Sequence, residues 1–334
     1  MLVAHNLGRN MNFRVVVVGL GQIGMGFDFE STSETSKLSH AGATKNHRCF
    51  TLVGGVDPDS TKRQNFESFF NVKSFSDLKY ALAETEPQVV IVSTPNSYRL
   101  EILRQIIETS KPEVILIEKP IANSIDEANS IIELCSENGI MLFVNYMRTA
   151  SPKMIELKRV LQSYNSSSHI NGNIWYQGGL LNNGSHIVNL LEFLFGPAKN
   201  FEVFKVRDNL DFCEDNPYGV LNFKNGSLSL TPLNSTLAKS NGFHVFLEEY
   251  SLELSRELGG IILREAKKDS QFQKNYVYNE KYLSFPIEID KLQTNVLDQI
   301  ALYLSGNRAS LCSGDMALQT LKVLIDDNTI EEKK

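Results

Sequence analysis

Cysteine is scarce in this chain and scattered. Cys49, Cys135, Cys213 and Cys312 form no C-x-x-C pair and no metal-ligand spacing. That pattern excludes a disulfide framework and a cysteine-built metal centre, and it fits reduced thiols in a cytoplasmic protein. Cys135 falls in a helical apolar stripe and is expected to pack as a small hydrophobe. Long apolar runs are also missing, since none reaches the ~18 residues a membrane span needs. Residues 1–12 lack the apolar centre of a secretory signal and read as a short extension. An excess of positive charge is absent too: 33 Lys and Arg stand against 39 Asp and Glu, a net charge of −6. A nucleic acid or an anionic membrane would call for a basic surface, so neither is an expected partner. No internal repeat and no long low-complexity tract appears.

What is present is an ordinary globular composition, 42% hydrophobic and 22% charged, over 334 residues. That length exceeds one typical core and predicts two domains, 1–147 and 148–334. In the first, short apolar runs of strand length recur at Arg14–Val18, Thr51–Val56, Val89–Val92, Val114–Ile117 and Met141–Val144. Their lack of polar alternation suits parallel strands buried on both faces. Helical stripes lie between them, such as Leu100, Leu103, Ile106 and Ile107. Another, Ala128, Ile131, Ile132 and Cys135, opens with a Ser124–Glu127 capping box and stops at Gly139. The fold class expected is α/β: a doubly wound Rossmann sheet followed by an α+β domain. For the second domain the pattern predicts helices over Pro152–Gln162, Gly184–Gly196, Asp290–Leu304 and Ser313–Asp326. Strands are expected at Phe201–Val206, Val220–Phe223, Ser227–Leu230, Phe243–Ser255 and Gly260–Arg264, in a largely antiparallel sheet.

The first strand runs into Gly19-Leu20-Gly21-Gln22-Ile23-Gly24, a G-x-G-x-x-G at the first βα junction. Gly19 allows the tight turn, Gly21 lets the backbone approach a pyrophosphate, and Gly24 permits close helix–strand packing. The N–H groups of Gln22 and Ile23 open the helix that faces the anion. Asp57 ends the second strand, where a carboxylate accepts hydrogen bonds from the adenosine ribose and disfavours a 2′-phosphate. The expected cofactor is therefore NAD, with NADP left open by Arg63 nearby. Asp57 follows Gly24 by 33 positions, more than the usual ~20, which marks Met25–Lys37 as an insertion, either a lid or a solvated loop. Thr94, Pro95 and Asn96 follow the third long strand, at the carboxyl edge where ligands gather. Asn96 is a contact to the cofactor or the substrate, or else a helix N-cap.

Three further segments bear on the chemistry: Glu118-Lys119-Pro120, Gly178-Gly179 through Gly184-Ser185-His186, and Cys312-Ser313-Gly314-Asp315 with Ala317. With Asp126-Glu127-Ala128 and Asn145-Tyr146-Met147-Arg148 before Pro152, they make the chain resemble the glucose-fructose oxidoreductase/inositol dehydrogenase (Gfo/Idh/MocA) family over nearly its whole length. The resemblance implies that Glu118 and Lys119 lie at the cofactor, Lys119 pointing at the oxygen of the reacting carbon. An ammonium there stabilises a developing alkoxide. Pro120 could make a cis peptide that sets the lysine's direction. His186 aligns with the family's catalytic histidine, an imidazole able to take or return the hydroxyl proton. Asn182 and Asn189 would share its helix face as substrate contacts, with Arg148 a partner for a substrate phosphate or carboxylate. Many relatives carry an aspartate where this chain has Asn182. An amide positions a hydroxyl but cannot raise a histidine's basicity as a carboxylate does. Arg99 also stands where relatives often have histidine.

The expected activity is hydride transfer between NAD(P) and a hydroxyl or carbonyl carbon of a sugar, polyol or sugar nucleotide. The expected assembly is a homo-oligomer, dimer or tetramer, formed through the C-terminal sheet. The rival reading is a dinucleotide-binding sensor or regulator of the same fold without turnover, kept open by Asn182.

Overall fold

The computed structural model describes residues 12–29, 37–164, 168–204, 216–233, 240–255, 257–272 and 274–325. Residues 1–11, most of the Met25–Lys37 insertion, Cys213 and the far ends of the segments expected at Phe201–Val206 and Ser313–Asp326 lie outside them. The chain forms two compact units. One is 1–151 with Ile289–Leu318, and the other is Pro152–Glu288 with the residues from Gln319 onward.

In the first unit, β1 (Phe13–Val18), β2 (Phe50–Val56), β3 (Ser74–Phe75), β4 (Val89–Val92), β5 (Val114–Ile117) and β6 (Met141–Val144) form a six-stranded sheet ordered β3-β2-β1-β4-β5-β6. Every pairing is parallel. The reason lies in the sequence: all four residues of β4 and of β5 are buried, so each strand needs cover on both faces. That cover comes from α1 (Phe27–Phe29), α2 (His40–Lys45), α3 (Ser60–Phe70), α4 (Leu78–Thr85), α5 (Arg99–Thr109) and α6 (Ile125–Glu137). The caps are local chemistry. Asp59 accepts from the N–H groups of Thr61 and Lys62, and Asp77 from that of Tyr80. At α6 Ser124 Oγ accepts from Glu127 N–H (3.2 Å), but the Glu127 carboxylate reaches one residue further back, to Asn123 N–H (3.1 Å). Strand order reverses between β1 and β4, which makes their carboxyl ends the switch point of the sheet.

The second unit contains α7 (Pro152–Leu161), β7 (Ile170–Tyr176), α8 (Ser185–Phe195), β8 (Asn200–Val203), β9 (Gly219–Phe223), β10 (Gly226–Pro232), β11 (Gly242–Phe246), β12 (Tyr250–Ser255), β13 (Gly260–Lys268), β14 (Tyr276–Tyr278) and β15 (Leu283–Pro286). The strands line up β14-β13-β12-β11-β7-β10-β9-β8, with β15 on β13. Pairing is antiparallel except between β7 and β10. One face of the sheet carries Ile174, Tyr176, Leu228, Phe243, Leu252 and Ile261 into a core with Met154 and Leu157 of α7 and Leu190 and Leu191 of α8.

Two expectations change. The run Phe243–Ser255, read as one strand, is a hairpin: β11 and β12 pair with each other and turn at Leu247–Glu249. The domain boundary at 147/148 is also not a single cut. The helix α9 (Leu292–Leu304) returns to the first unit, where Val296, Leu297, Ile300 and Ala301 join the core of Val15, Val17, Leu116 and Phe143. Apolar complementarity, not position along the chain, decides where α9 packs. The helix α10 (Gly314–Leu324) begins in the first unit and ends in the second.

Candidate functional site

The glycine turn is fixed by its neighbours. Gly19 has φ +93°, and a Cβ there would sit 2.9 Å from the Ser93 backbone. At Gly24 a Cβ would lie 2.1 Å from the Gly19 carbonyl oxygen. Neither position tolerates a side chain. Gly21 differs: a Cβ there meets nothing within 4 Å, so the protein itself does not require glycine. A backbone edge left bare at the start of a βα unit is what a pyrophosphate needs. Ser93 Oγ donates to Gly19 O (2.7 Å), tying the turn to the end of β4. The segment Gln22–Gly26 is a π-turn that leads into α1.

Buried Asp28 accepts from the Leu38 N–H (2.8 Å) and from Ser39, whose Oγ in turn caps α2 by accepting from Gly42 N–H (3.0 Å). Asp57 is buried and already engaged. Its Oδ2 accepts from Leu20 N–H (2.8 Å) with Lys62 Nζ at 3.6 Å, and its Oδ1 accepts from Asp59 N–H (2.9 Å). It thus joins the glycine turn to the end of β2, with lone pairs left over for a ribose hydroxyl. Arg63 is anchored by Nη1 to the carbonyls of Asp57 and Pro58, both at 2.8 Å.

At the end of β4, Thr94 Oγ1 is buried with no hydrogen-bond partner. Such an atom is costly unless something completes it. Asn96 opens a 3-10 turn and donates to Asn123 Oδ1 (3.0 Å). Buried Arg99 gathers this edge: Nη1 donates to the carbonyls of Pro120 and Ile121, and Nη2 to Thr94 O (3.5 Å). Burial pushes its guanidinium down to about 10, with Glu118 and Glu127 acting the other way.

Lys119 follows β5, and the peptide to Pro120 is cis. Glu118 does not neutralise the lysine alone. Its Oε1 pairs with His40 Nε2 (2.8 Å) and accepts from Asn145 Nδ2 (2.7 Å), while Asn145 also reaches Gln293 Oε1 (3.3 Å). Burial alone would raise the Glu118 carboxyl, but the bonds from His40 and Asn145 and the Lys119 charge hold it below its usual value. Burial lowers the Lys119 ammonium, Glu118 opposes that, and Arg148 adds to it. His40, Asn145 and Gln293 come from α2, the end of β6 and α9. Among them only Asn145 stood in a motif, and nothing local in the sequence marks the other two.

In the second unit, Gly178 (φ +78°) and Gly179 (φ +92°) precede a π-turn, Leu180–Gly184, that leads into α8. Asn182 is exposed on this turn and His186 is half-buried in the first turn of α8. Asn189 does not share that exposure: it is buried and its Nδ2 donates to Thr320 Oγ1 of α10 (3.0 Å). Thr320 Oγ1 donates in turn to Glu192, which also accepts from Ala198 N–H (3.2 Å).

Residues 13–146 match the profile of the oxidoreductase family with an NAD-binding Rossmann fold. No curated protein matches the sequence. Among solved structures, the chain is similar to an oxidoreductase from Desulfitobacterium hafniense provisionally described as NADPH-dependent, at 17% identity, 97% coverage of both chains and TM-score 0.77. It is similar to the WlbA dehydrogenase of Bordetella pertussis in complex with NADH and UDP-GlcNAcA (18%, 94% of both chains, 0.69). It is also similar to a levoglucosan dehydrogenase in complex with NADH and levoglucosan (15%, 96% of both chains, 0.73). At these identities the structural likeness establishes the fold. The bare edge at Gly21 and the orphaned Thr94 hydroxyl fit the dinucleotide that the family binds.

Proposed function

Because residues 13–146 are an NAD-binding Rossmann domain of the Gfo/Idh/MocA oxidoreductase family, we propose that the protein is an NAD(P)-dependent dehydrogenase or reductase. It acts on a hydroxyl or carbonyl carbon of a sugar, polyol or sugar nucleotide, and the WlbA and levoglucosan neighbours bind a sugar nucleotide and a sugar. The dinucleotide, when bound, gives or takes the hydride. Gly19–Gly24 hold its pyrophosphate, Asp57 its adenosine ribose, and Thr94 to Asn96 the edge beyond β4. Lys119 stabilises negative charge on the substrate oxygen, and His186 takes or returns the hydroxyl proton. Asn182 orients the substrate by hydrogen bonding. The observation that carries this reading is a half-buried, lowered ammonium, Lys119, at the carboxyl edge of the same sheet that carries, two strands away at the end of β1, an open glycine cradle.

The test has two stages. NADH fluorescence titration is expected to show binding to the native protein and loss of it, by about ten-fold or more, in Gly21→Val. A valine there meets no protein atom at Cβ, so the melting temperature should hold. Nicotinamide absorbance is then followed with a sugar and sugar-nucleotide panel, and Lys119→Met should reduce kcat by about 10²-fold or more. Turnover unaffected by Lys119→Met sinks the oxyanion role. NADH binding without turnover on any member favours the sensor reading, which the exposed amide of Asn182 supports.

A further inference from the structure

Arg148 stands four residues after β6, which is three strands from β1, with β4 and β5 between them. Its guanidinium is half-buried, and among the described residues no carboxylate, carbonyl or hydroxyl pairs with it; Nη1 is buried without a partner. Arg99 differs in degree: its Nη1 and Nη2 donate to three carbonyls and only its Nε is buried without a partner, whereas no nitrogen of the Arg148 guanidinium has a partner among the described residues. A buried guanidinium nitrogen without a partner is costly, and such a cost persists where a ligand relieves it. The neighbourhood does not relieve it. Lys119 and Arg148 follow the paired neighbouring strands β5 and β6, and Asn145, three residues before Arg148, bonds Glu118 next to Lys119 (2.7 Å), so two cations share the region and Arg148 depresses the lysine's ammonium. The acid beside them, Glu118, is held by His40 and Asn145. The cofactor's pyrophosphate is not the missing anion: it belongs to the turn after β1, and three inter-strand steps place the end of β6 about 14 Å away. The nicotinamide carboxamide is neutral.

Resting on the function proposed above, we infer that the substrate carries its own negative charge, a sugar carboxylate or phosphate monoester, received by Arg148 beside Lys119. A carboxylate or phosphate meets the guanidinium fork in a bidentate pair, while Lys119 remains with the reacting oxygen. The anion thereby also fixes which carbon stands at the lysine.

The test uses matched ligands on the full chain, with and without NADH: D-glucuronate and D-glucose 6-phosphate against D-glucose, and the three galacto counterparts. Calorimetric titration is expected to show at least one anionic member binding about ten-fold or more tighter than its neutral partner. That preference should fall with added salt, vanish in Arg148→Gln and survive in part in Arg148→Lys. Whether the uronate or the phosphate wins identifies the anion. No anion preference in either set, or one that persists in Arg148→Gln, overturns the inference. NADH affinity is read in parallel on each variant and reports folding. If NADH itself fails to bind the native chain, the dinucleotide reading has failed, while the anion preference is still read on the protein alone.

Discussion

Lys119 is set by opposing neighbours, and that balance can be measured. Burial and Arg148 lower its ammonium, and Glu118 raises it. If the charged form stabilises the substrate oxyanion, kcat/KM declines as pH rises through the lysine's own pKa. That alkaline limb should lie below the ordinary lysine value of about 10.4. Replacing Arg148 by Met removes a lowering influence and should carry the limb to higher pH. Replacing Glu118 by Gln removes the raising one and should carry it lower. A pH–rate profile that neither variant moves would mean Lys119 does not titrate in the reaction. Residue roles of this kind were partly legible. The glycines and Lys119 announce themselves because a turn, a strand end and a proline are local features. His40 and Gln293 did not, since their partners lie 78 and 148 positions away, on Glu118 and Asn145. Arg99 looked like a substitution within a motif, whereas its role is to hold the loop that carries Lys119.

Elements are joined by similarly remote contacts. Glu192 on α8 is held by Thr320 of α10 and by Ala198 N–H. Burial pushes its carboxyl up to about 7, with those two bonds only partly offsetting the effect. The folded chain therefore favours the protonated form. That contribution to stability is complete below the unfolded value of 4.5 and is lost as pH rises to about 7, after which it is flat. Denaturant unfolding at several pH values should show the native protein losing about 1–3 kcal/mol across this window relative to Glu192→Gln, which stays neutral. Parallel curves for the two proteins would show that the carboxyl is not protonated in the fold. The elements themselves were readable where composition matched geometry: β4, β5 and β6 end where their apolar runs end. The hairpin β11–β12 was hidden because its turn, Leu247-Glu248-Glu249, contains no glycine, proline or asparagine. Strand β7 is absent from the expected strands because Asn171, Gly172 and Asn173 interrupt any apolar alternation. Gly172 is there because a Cβ would lie 2.0 Å from the His244 carbonyl oxygen of the adjoining strand.

On the scale of the whole molecule, the decisive feature is that the Rossmann unit is completed by residues from near the other end of the chain. Without Ile289–Leu318 the core of β1, β5 and β6 would lose Val296, Leu297, Ile300 and Ala301. Burial of aliphatic side chains is worth about 1.5–3 kcal/mol each, so their joint loss is comparable to the 5–15 kcal/mol that holds a domain together. Polar ties would go as well: Asp298 to His47 (3.2 Å) and Ser310 Oγ to Thr149 O (3.2 Å). The alternating βα pattern of the first half concealed this dependence, because it suggests a domain that ends where its last strand ends. A fragment of residues 12–151 is therefore expected to lack a cooperative thermal transition and to bind NADH weakly, despite containing every glycine of the cradle. The same fragment joined by a flexible linker to residues 289–318 should regain both, as read by circular dichroism and NADH fluorescence. If the shorter fragment alone melts cooperatively and binds NADH like the full chain, α9 is an ornament of the Rossmann unit and the discontinuous division carries no energetic weight.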